Sequence, residues 1–260
     1  MKLSPVDINL QDFPSQLRPY LDGAQVFDSS SSEDAKVLFS NKYGGVFIKI
    51  AQHGSLKTES EMTGYFHSRG ISPQALEYIS LDKDYLITKK ADGDDCIHQK
   101  YLDYPKKLCD VFAENLRLLH CLDYKDCPIK NRTDDYLKTA ERNYKAGHCD
   151  KTFLKESGYS SPDDAWNFVQ SKKRLLKTDT LLHGDYCLPN VILDDWKFSA
   201  FIDVGFGGVG DRHIDIFWGI WTLKYNLHTN DYAKRFIDAY GKDNVDFDLL
   251  KLIDTIEIFG

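Results

Sequence analysis

No apolar run in the 260 residues approaches the ~20 that a bilayer-spanning helix needs, so no membrane partner is expected. The opening stretch MKLSPVDINLQDFPSQL lacks the apolar core of a secretion signal, which makes the cytoplasm the expected location. Cys96, Cys109, Cys121, Cys127, Cys149 and Cys187 include no CxxC pair and no metal-ligand spacing. Reduced, mostly buried thiols are the simplest expectation. A positive surplus is missing too. Against 40 Asp and Glu stand 33 Lys and Arg, a net charge of -7, so a nucleic-acid partner has no electrostatic footprint. That acidity suits a cationic small ligand, though it serves plain solubility as well. The eight histidines show no paired ligand spacing, which argues against a metal hydrolase.

What the chain does have is 42% hydrophobic and 13% aromatic residues, enough for a real core. Its first third reads as strands at 24–27, 35–40, 46–51, 75–81 and 84–89, with a helix over 56–69 and a short turn holding Asp82 and Asp84. From about 104 the apolar spacing becomes helical, as in Leu108, Val111, Phe112, Leu116 and Leu119. More helices are expected near 134–146, 163–173, 213–225, 230–240 and 246–258. The fold class is therefore α+β, with a five-stranded antiparallel sheet and one main helix in an N-terminal lobe, 1–90, and a larger, mainly helical lobe, 91–260. Ligands commonly sit in clefts between such lobes.

One stretch, LLHGDYCLPNVILDDWKFSAFIDVG at 181–205, places Asp185, Asn190 and Asp203 in an apolar setting. Folding NVIL and AFID into an antiparallel hairpin about DDWKFS sets Leu193 against Ala200 and Asn190 against Asp203. Opposed residues share a face with Cβ atoms roughly 5 Å apart. An amide and a carboxylate so placed are oxygen donors suited to Mg²⁺, although an arbitrary pair of this kind is more often a polar hairpin rim. Asp185, five residues before Asn190, suits the acceptance of a proton from a substrate hydroxyl.

HGDYCLPN followed by FIDVG resembles the catalytic and metal-binding motifs of the aminoglycoside phosphotransferases, relatives of the protein kinases, most nearly the 3′-phosphotransferases. GDRHIDI and HCLDYKDCPIKN are similar to that subgroup as well. The resemblance implies a protein-kinase-like two-lobed fold and ATP-dependent phosphorylation of an aminoglycoside hydroxyl, at the 3′ position, that confers resistance to drugs such as kanamycin or neomycin. It implies Asp185 as catalytic base, Asn190 and Asp203 as Mg²⁺ ligands, and His183 and Asp215 as structural braces. Asp211 is a brace or a helix cap, and Gly205 permits a sharp exit from the strand. ATP is the expected nucleotide, with GTP as the alternative, and the protein is expected to act as a monomer or weak homodimer. A kinase of another small hydroxyl compound (a macrolide, choline, a fructosamine or a sugar) would carry the same groups. A nucleotide-binding pseudokinase scaffold is the remaining alternative.

Strand alternation in VFIKI puts Val46, Ile48 and Ile50 on one face and Phe47 with Lys49 on the other. Lys49 is thereby placed to reach phosphates, and Phe47 to cover an adenine; the plain alternative is a solvated lysine. In the following helix Glu59 shares the inward face of Met62 and Phe66, while Glu61 points away. The family pattern likewise pairs Glu59 with the lysine. Where protein kinases have a glycine-rich loop this chain has FDSSSSEDAKV, so amides and hydroxyls of Ser30, Ser31 and Ser32 are the candidate phosphate cover, with Glu33 at the family's usual serine. The resemblance places the adenine-binding hinge at ITKKADG, with the Ala91 backbone as contact. For a cationic acceptor it points to Asp150 and Glu156 in CDKTFLKESGY and to Glu257 or Asp254 in LIDTIEIFG. Gly260 after Phe259, Phe206 after D-x-G, and WTLKYN at 221–226 depart from the pattern. They leave the phosphoryl-transfer groups intact and fall where the acceptor range is set.

Overall fold

Two stretches far apart in sequence, Met1–His98 and Pro189–Gly205, fold together as one unit, while Gln99–Leu188 and Phe206–Gly260 make the other. The structure is a computed structural model that describes residues 3–31 and 34–260. In chain order the first unit holds β1 (Ser4–Pro5), α1 (Arg18–Leu21), β2 (Val26–Asp28), β3 (Lys36–Ser40), β4 (Val46–Gln52), α2 (Lys57–His67), β5 (Ala75–Ser80), β6 (Lys83–Lys89) and β7 (Asp94–Asp95). Strands β1 to β6 form an antiparallel sheet in the order β1-β2-β3-β4-β6-β5. The sequence predicts five of these. The sixth, β1, is two residues long and contains Pro5, a residue tolerated at a sheet edge, so it leaves no alternation to read.

Val46, Ile48 and Ile50 are buried and pack with Leu38, Ile79, Tyr85 and Ile87 as the core of this unit. Phe47 and Lys49 fall on the opposite face, as the alternation requires. Helix α2 buries Glu59, Met62 and Phe66 together and leaves Glu61 exposed beside Lys57.

The second unit supplies α3 (Gln99–Leu102), α4 (Pro105–His120), α5 (Arg132–Lys145), α6 (Lys151–Glu156), α7 (Pro162–Lys172) and β8 (Thr180–Leu182). The chain then returns to the first unit for β9 (Val191–Asp194) and β10 (Lys197–Phe201) before β11 (Gly208–Gly210), α8 (His213–Leu227), α9 (Ala233–Tyr240) and α10 (Phe247–Ile256). Ala140, Ala165, Val169, Ile214, Leu252 and Ile256 belong to its core. Strands β8 and β11 pair antiparallel, a second strand pair that the sequence does not predict. Three residues each, GVG among them, carry too little pattern to distinguish a strand from a loop.

The hairpin at 190–203 forms with a different register from the one expected. Asp194 pairs with Lys197, so the turn is only two residues, Asp195 and Trp196, with φ of 45° and 69°. Two consecutive left-handed residues make the tight turn that matches strand twist, and neither is the glycine that usually signals it. Leu193 therefore faces Phe198, not Ala200, and a bulge between Phe198 and Ala200 then shifts the pairing. Ile202 donates its amide to the Asn190 carbonyl at 3.0 Å, which makes Asp203 a neighbour one residue beyond direct opposition to Asn190.

Candidate active site

The first unit gathers three of the expected residues. Lys49 Nζ lies 2.7 Å from Glu59 Oε2 and 2.7 Å from Asp203 Oδ1. Each partner is delivered by a different element: β4, α2 and the end of the β9–β10 hairpin. Burial works against the ammonium, but Asp203 and Glu59 outweigh it and hold its pKa above the ordinary lysine range. Glu59 is shifted upward, first by burial and then by repulsion from Asp203, against the opposing pull of Lys49. Lys49 is a locked cation at all physiological pH values.

Two local features hold this trio in place. Asp203 has φ of 57°, a left-handed conformation that costs roughly 1–2 kcal/mol in a residue with a Cβ. Gly205 does not adopt that conformation, so the sharp exit expected at the glycine occurs two residues earlier. Its missing side chain serves a different purpose, because a Cβ there would lie 3.3 Å from the Cβ of Glu59. Phe201 anchors the hairpin to the far end of α2, donating its amide to the Ile71 carbonyl at 2.8 Å and meeting Phe66 edge-on at 6.3 Å.

The Asp203 side chain is 45% exposed and Asn190 is buried. A half-exposed carboxylate and an amide oxygen on adjoining ends of one hairpin are hard-oxygen donors of the kind that fits Mg²⁺, which takes few protein ligands and completes its shell with water and phosphate.

In the second unit the HGD loop is shaped by Asp215. That wholly buried carboxylate accepts the amides of His183 at 2.8 Å and Gly184 at 2.7 Å, one on each oxygen. His120 Nε2 also contacts Asp215, at 3.0 Å; burial pushes His120 toward its neutral form against the pull of that carboxylate. Gly184 has φ of 86°, and a Cβ there would overlap the Phe206 backbone, so only glycine fits the middle of the motif. Buried His183 accepts the Asp185 amide through Nδ1 at 3.3 Å. Asp185 itself is half-buried, and the Cys187 thiol donates to its carboxylate. Tyr186 points the other way, stacking on Phe112 at 4.4 Å and donating to its carbonyl. Asp211 accepts the His213 amide at 3.0 Å at the start of α8 and the Lys177 amide at 2.7 Å, serving as both cap and loop brace.

The acceptor candidates divide. Asp150 caps α6, accepting the Thr152 and Phe153 amides through Oδ1 at 2.7 and 2.9 Å. Glu156 is paired with Lys224 at 2.7 Å. Asp254 is paired with Lys251 at 2.9 Å. Glu257 is buried and accepts hydrogen bonds from the Tyr136 hydroxyl at 2.7 Å and the Trp218 indole. Burial pushes its carboxyl up to about 7, with the charges of Asp185 and Asp254 adding to the shift. The Asp150 amide donates to the Ile258 carbonyl at 2.8 Å, which joins this loop to the C-terminal segment.

Of the nucleotide candidates, Phe47 is half-buried and packs beside Phe39 at 5.1 Å. Ala91 is half-buried just beyond β6. Ser31 is exposed, and Ser30 is engaged in its own loop, its hydroxyl accepting the Val37 amide at 3.0 Å. Ser32 and Glu33 lie outside the described residues. Sequence reasoning missed Asp84, which sits in β6, wholly buried, rather than in a turn. It accepts the Leu56 amide at 2.9 Å and the hydroxyls of Tyr78 and Ser80, and so fixes the start of the helix that carries Glu59. The one signal for it was a carboxylate next to the apolar run of Tyr85, Leu86 and Ile87.

Residues 25–252 match the phosphotransferase enzyme family. The chain belongs to that family. It is 46% identical over 259 residues to a probable aminoglycoside 3′-phosphotransferase of Lactococcus lactis, covering 99% of each chain. It is also 32% identical to an aminoglycoside 3′-phosphotransferase of Niallia circulans, covering 82% of this chain and 83% of the relative. Among solved structures, an aminoglycoside 3′-phosphotransferase of type VIII superposes with a TM-score of 0.78 at 23% identity, over 96% of this chain and 99% of that one. A Streptomyces rimosus aminoglycoside phosphotransferase, solved with ADP and streptomycin, gives 0.73 at 19% identity, over 97% and 99%. The α+β, kinase-like fold of the phosphotransferase family is thus the fold of this chain. None of its helices is long and apolar enough, among the described residues, to cross a membrane.

Proposed function

We propose that the chain is an ATP-dependent aminoglycoside 3′-phosphotransferase, a resistance enzyme. The observation that carries this is Lys49 held at 2.7 Å from both Glu59 and Asp203, a fixed cation between two carboxylates, in a chain 46% identical to a probable enzyme of that name. Residues 1–90 serve nucleotide binding and 91–260 catalysis and acceptor binding. Lys49, oriented by Glu59, grips the nucleotide phosphates. Phe47, the Ala91 backbone and the loop around Ser31 and Ser32 hold the rest of ATP, or of GTP where the enzyme accepts it.

Asn190 and Asp203 would hold Mg²⁺, which supplies charge neutralisation on the transferring phosphoryl group. Asp185 accepts the proton of the acceptor hydroxyl, and Asp215 with His183 keeps its loop in shape. Asp150, Glu156 and Asp254 give the acceptor region the negative character that a polyammonium drug needs, with buried Glu257 adding to it as its carboxyl ionises. Such transfer depends on positioning and charge stabilisation.

Purified protein should consume ATP in the presence of kanamycin or neomycin and show no such stimulation with a macrolide, choline or a fructosamine. Asp185→Ala should keep nucleotide affinity while kcat falls at least ~100-fold, the scale of general acid–base assistance. Undiminished kanamycin phosphorylation by that variant would refute the assignment.

A further inference from the structure

Helix α8 carries Trp218, Trp221 and Tyr225 at three- and four-residue steps, which puts them on one face. Trp218 meets Trp221 edge-on at 5.3 Å, and Trp221 stacks on Tyr225 at 5.0 Å with 11° between planes. Phe153 lies 6.5 Å from Trp221 at 27°. Trp221 thus has two aromatic neighbours, and Tyr225, 64% exposed, is the open ring of the stacked pair. At its other end the stripe reaches Glu257 through the Trp218 indole N–H, and the Glu257 carboxyl feels the charge of Asp185. The stripe thus runs outward from the neighbourhood of the catalytic base.

Phe153, Trp221 and Tyr225 line a cavity of about 550 Å³ together with Asp150, Glu156 and Lys224. That size admits a small ligand. Its acidic groups are partly engaged, Glu156 by Lys224 and one Asp150 oxygen by two amides. What remains open is an aromatic face beside residual negative charge. An amino sugar complements that combination, with its C–H ring face against the tyrosine and its ammonium toward the carboxylates and the π face. Stacking already fixes the ring, so little ordering accompanies binding.

We propose that Tyr225 is a specificity-determining residue, a platform for an amino-sugar ring beyond the two-ring core of the substrate. This rests on the aminoglycoside reading of the same site and extends it to the size of drug preferred. The test is calorimetric titration of wild type, Tyr225→Ala and Tyr225→Phe with neomycin and with its two-ring fragment, alongside turnover of both. Tyr225→Ala should weaken neomycin three- to tenfold relative to the fragment, the scale of an exposed aromatic contact with a cation, and Tyr225→Phe should retain the wild-type ratio. Equal weakening of both ligands, no weakening, or a phenylalanine variant as poor as alanine would overturn the proposal. A wild type that binds neomycin but transfers no phosphate refutes the enzymatic reading while the titrations still decide on the platform. Failure to bind neomycin at all overturns both.

Discussion

Asp84 accepts the backbone amide of Leu56 at 2.9 Å, so a carboxylate buried in a sheet strand pins the first turn of the helix bearing Glu59. Burial alone would raise its pKa, yet the bonds from Ser80, Gly54, Leu56 and Tyr78 outweigh it and lower the value from 3.8 to about 2. A carboxylate depressed in this way stabilises the fold above its unfolded pKa and loses that contribution as pH falls from about 4 toward 2. Asp84→Asn turns one acceptor into a donor facing donors, at a cost of about 1–3 kcal/mol. Thermal melts at pH 7 should show the loss, and it should shrink as pH falls from about 4 to 2, where the wild-type fold gives up the advantage of its ionised carboxylate. A loss that stays the same across that fall would contradict the account.

Glu59 has a narrower task. Asp203 still faces Lys49 when Glu59→Gln removes one of its two carboxylate partners, so the ammonium keeps its charge and loses its aim. A charge-assisted hydrogen bond contributes about 1.5–3 kcal/mol, and tenfold in affinity corresponds to about 1.4 kcal/mol. ATP should bind at least about tenfold more weakly in fluorescence or calorimetric titrations, while the affinity for neomycin, measured without nucleotide, is preserved. Parallel weakening of both ligands would mean that Glu59 supports the fold at large and not the cation.

Asp215 links the two backbone amides of the HGD loop to His120, all in a buried setting. Asparagine satisfies one of those amides and repels the other. Asp215→Asn should lower stability by about 3 kcal/mol, the scale of breaking a buried charged network, and lower kcat well beyond any change in KM for ATP. Unchanged kcat with an intact melt would show that the loop holds its shape without the brace.

How much of this was legible depends on the kind of signal. Period-two alternation gave the face of Lys49, and period 3.6 gave the inward face of Glu59, because both residues belong to elements long enough to show a pattern. The hairpin register was not legible. Its tight turn uses Asp195 and Trp196 in left-handed conformations, and no Asn-Gly or Asp-Gly announces it. That short turn takes Asn190 out of direct opposition to Asp203, and the bulge that follows recovers one of the two residues of shift without any compositional trace. Acidic residues were the hardest case. Asp150, Glu156, Asp254 and Glu257 look alike as letters, yet one caps a helix, two sit in ion pairs and one is buried among aromatic residues. Distinguishing them takes partners from distant segments, such as Tyr136 for Glu257, and no local pattern records those.

Glu257 makes the strongest prediction about pH. Its carboxyl is pushed from 4.5 up to about 7 by burial, with Asp185 and Asp254 adding repulsion and the Tyr136 and Trp218 hydrogen bonds opposing it. A carboxyl whose folded pKa is raised favours the fold fully below its unfolded pKa, and that advantage disappears as pH rises through 7. Glutamine keeps a carbonyl to accept from Tyr136 and Trp218 and never acquires the buried charge. The melting temperature of Glu257→Gln relative to wild type should therefore climb between pH 5 and pH 8. Histidines titrating in the same window are common to both proteins and cancel in the difference. A difference that stays level across the window would show that Glu257 is already ionised in the folded protein at pH 5, held by its two donors despite its burial.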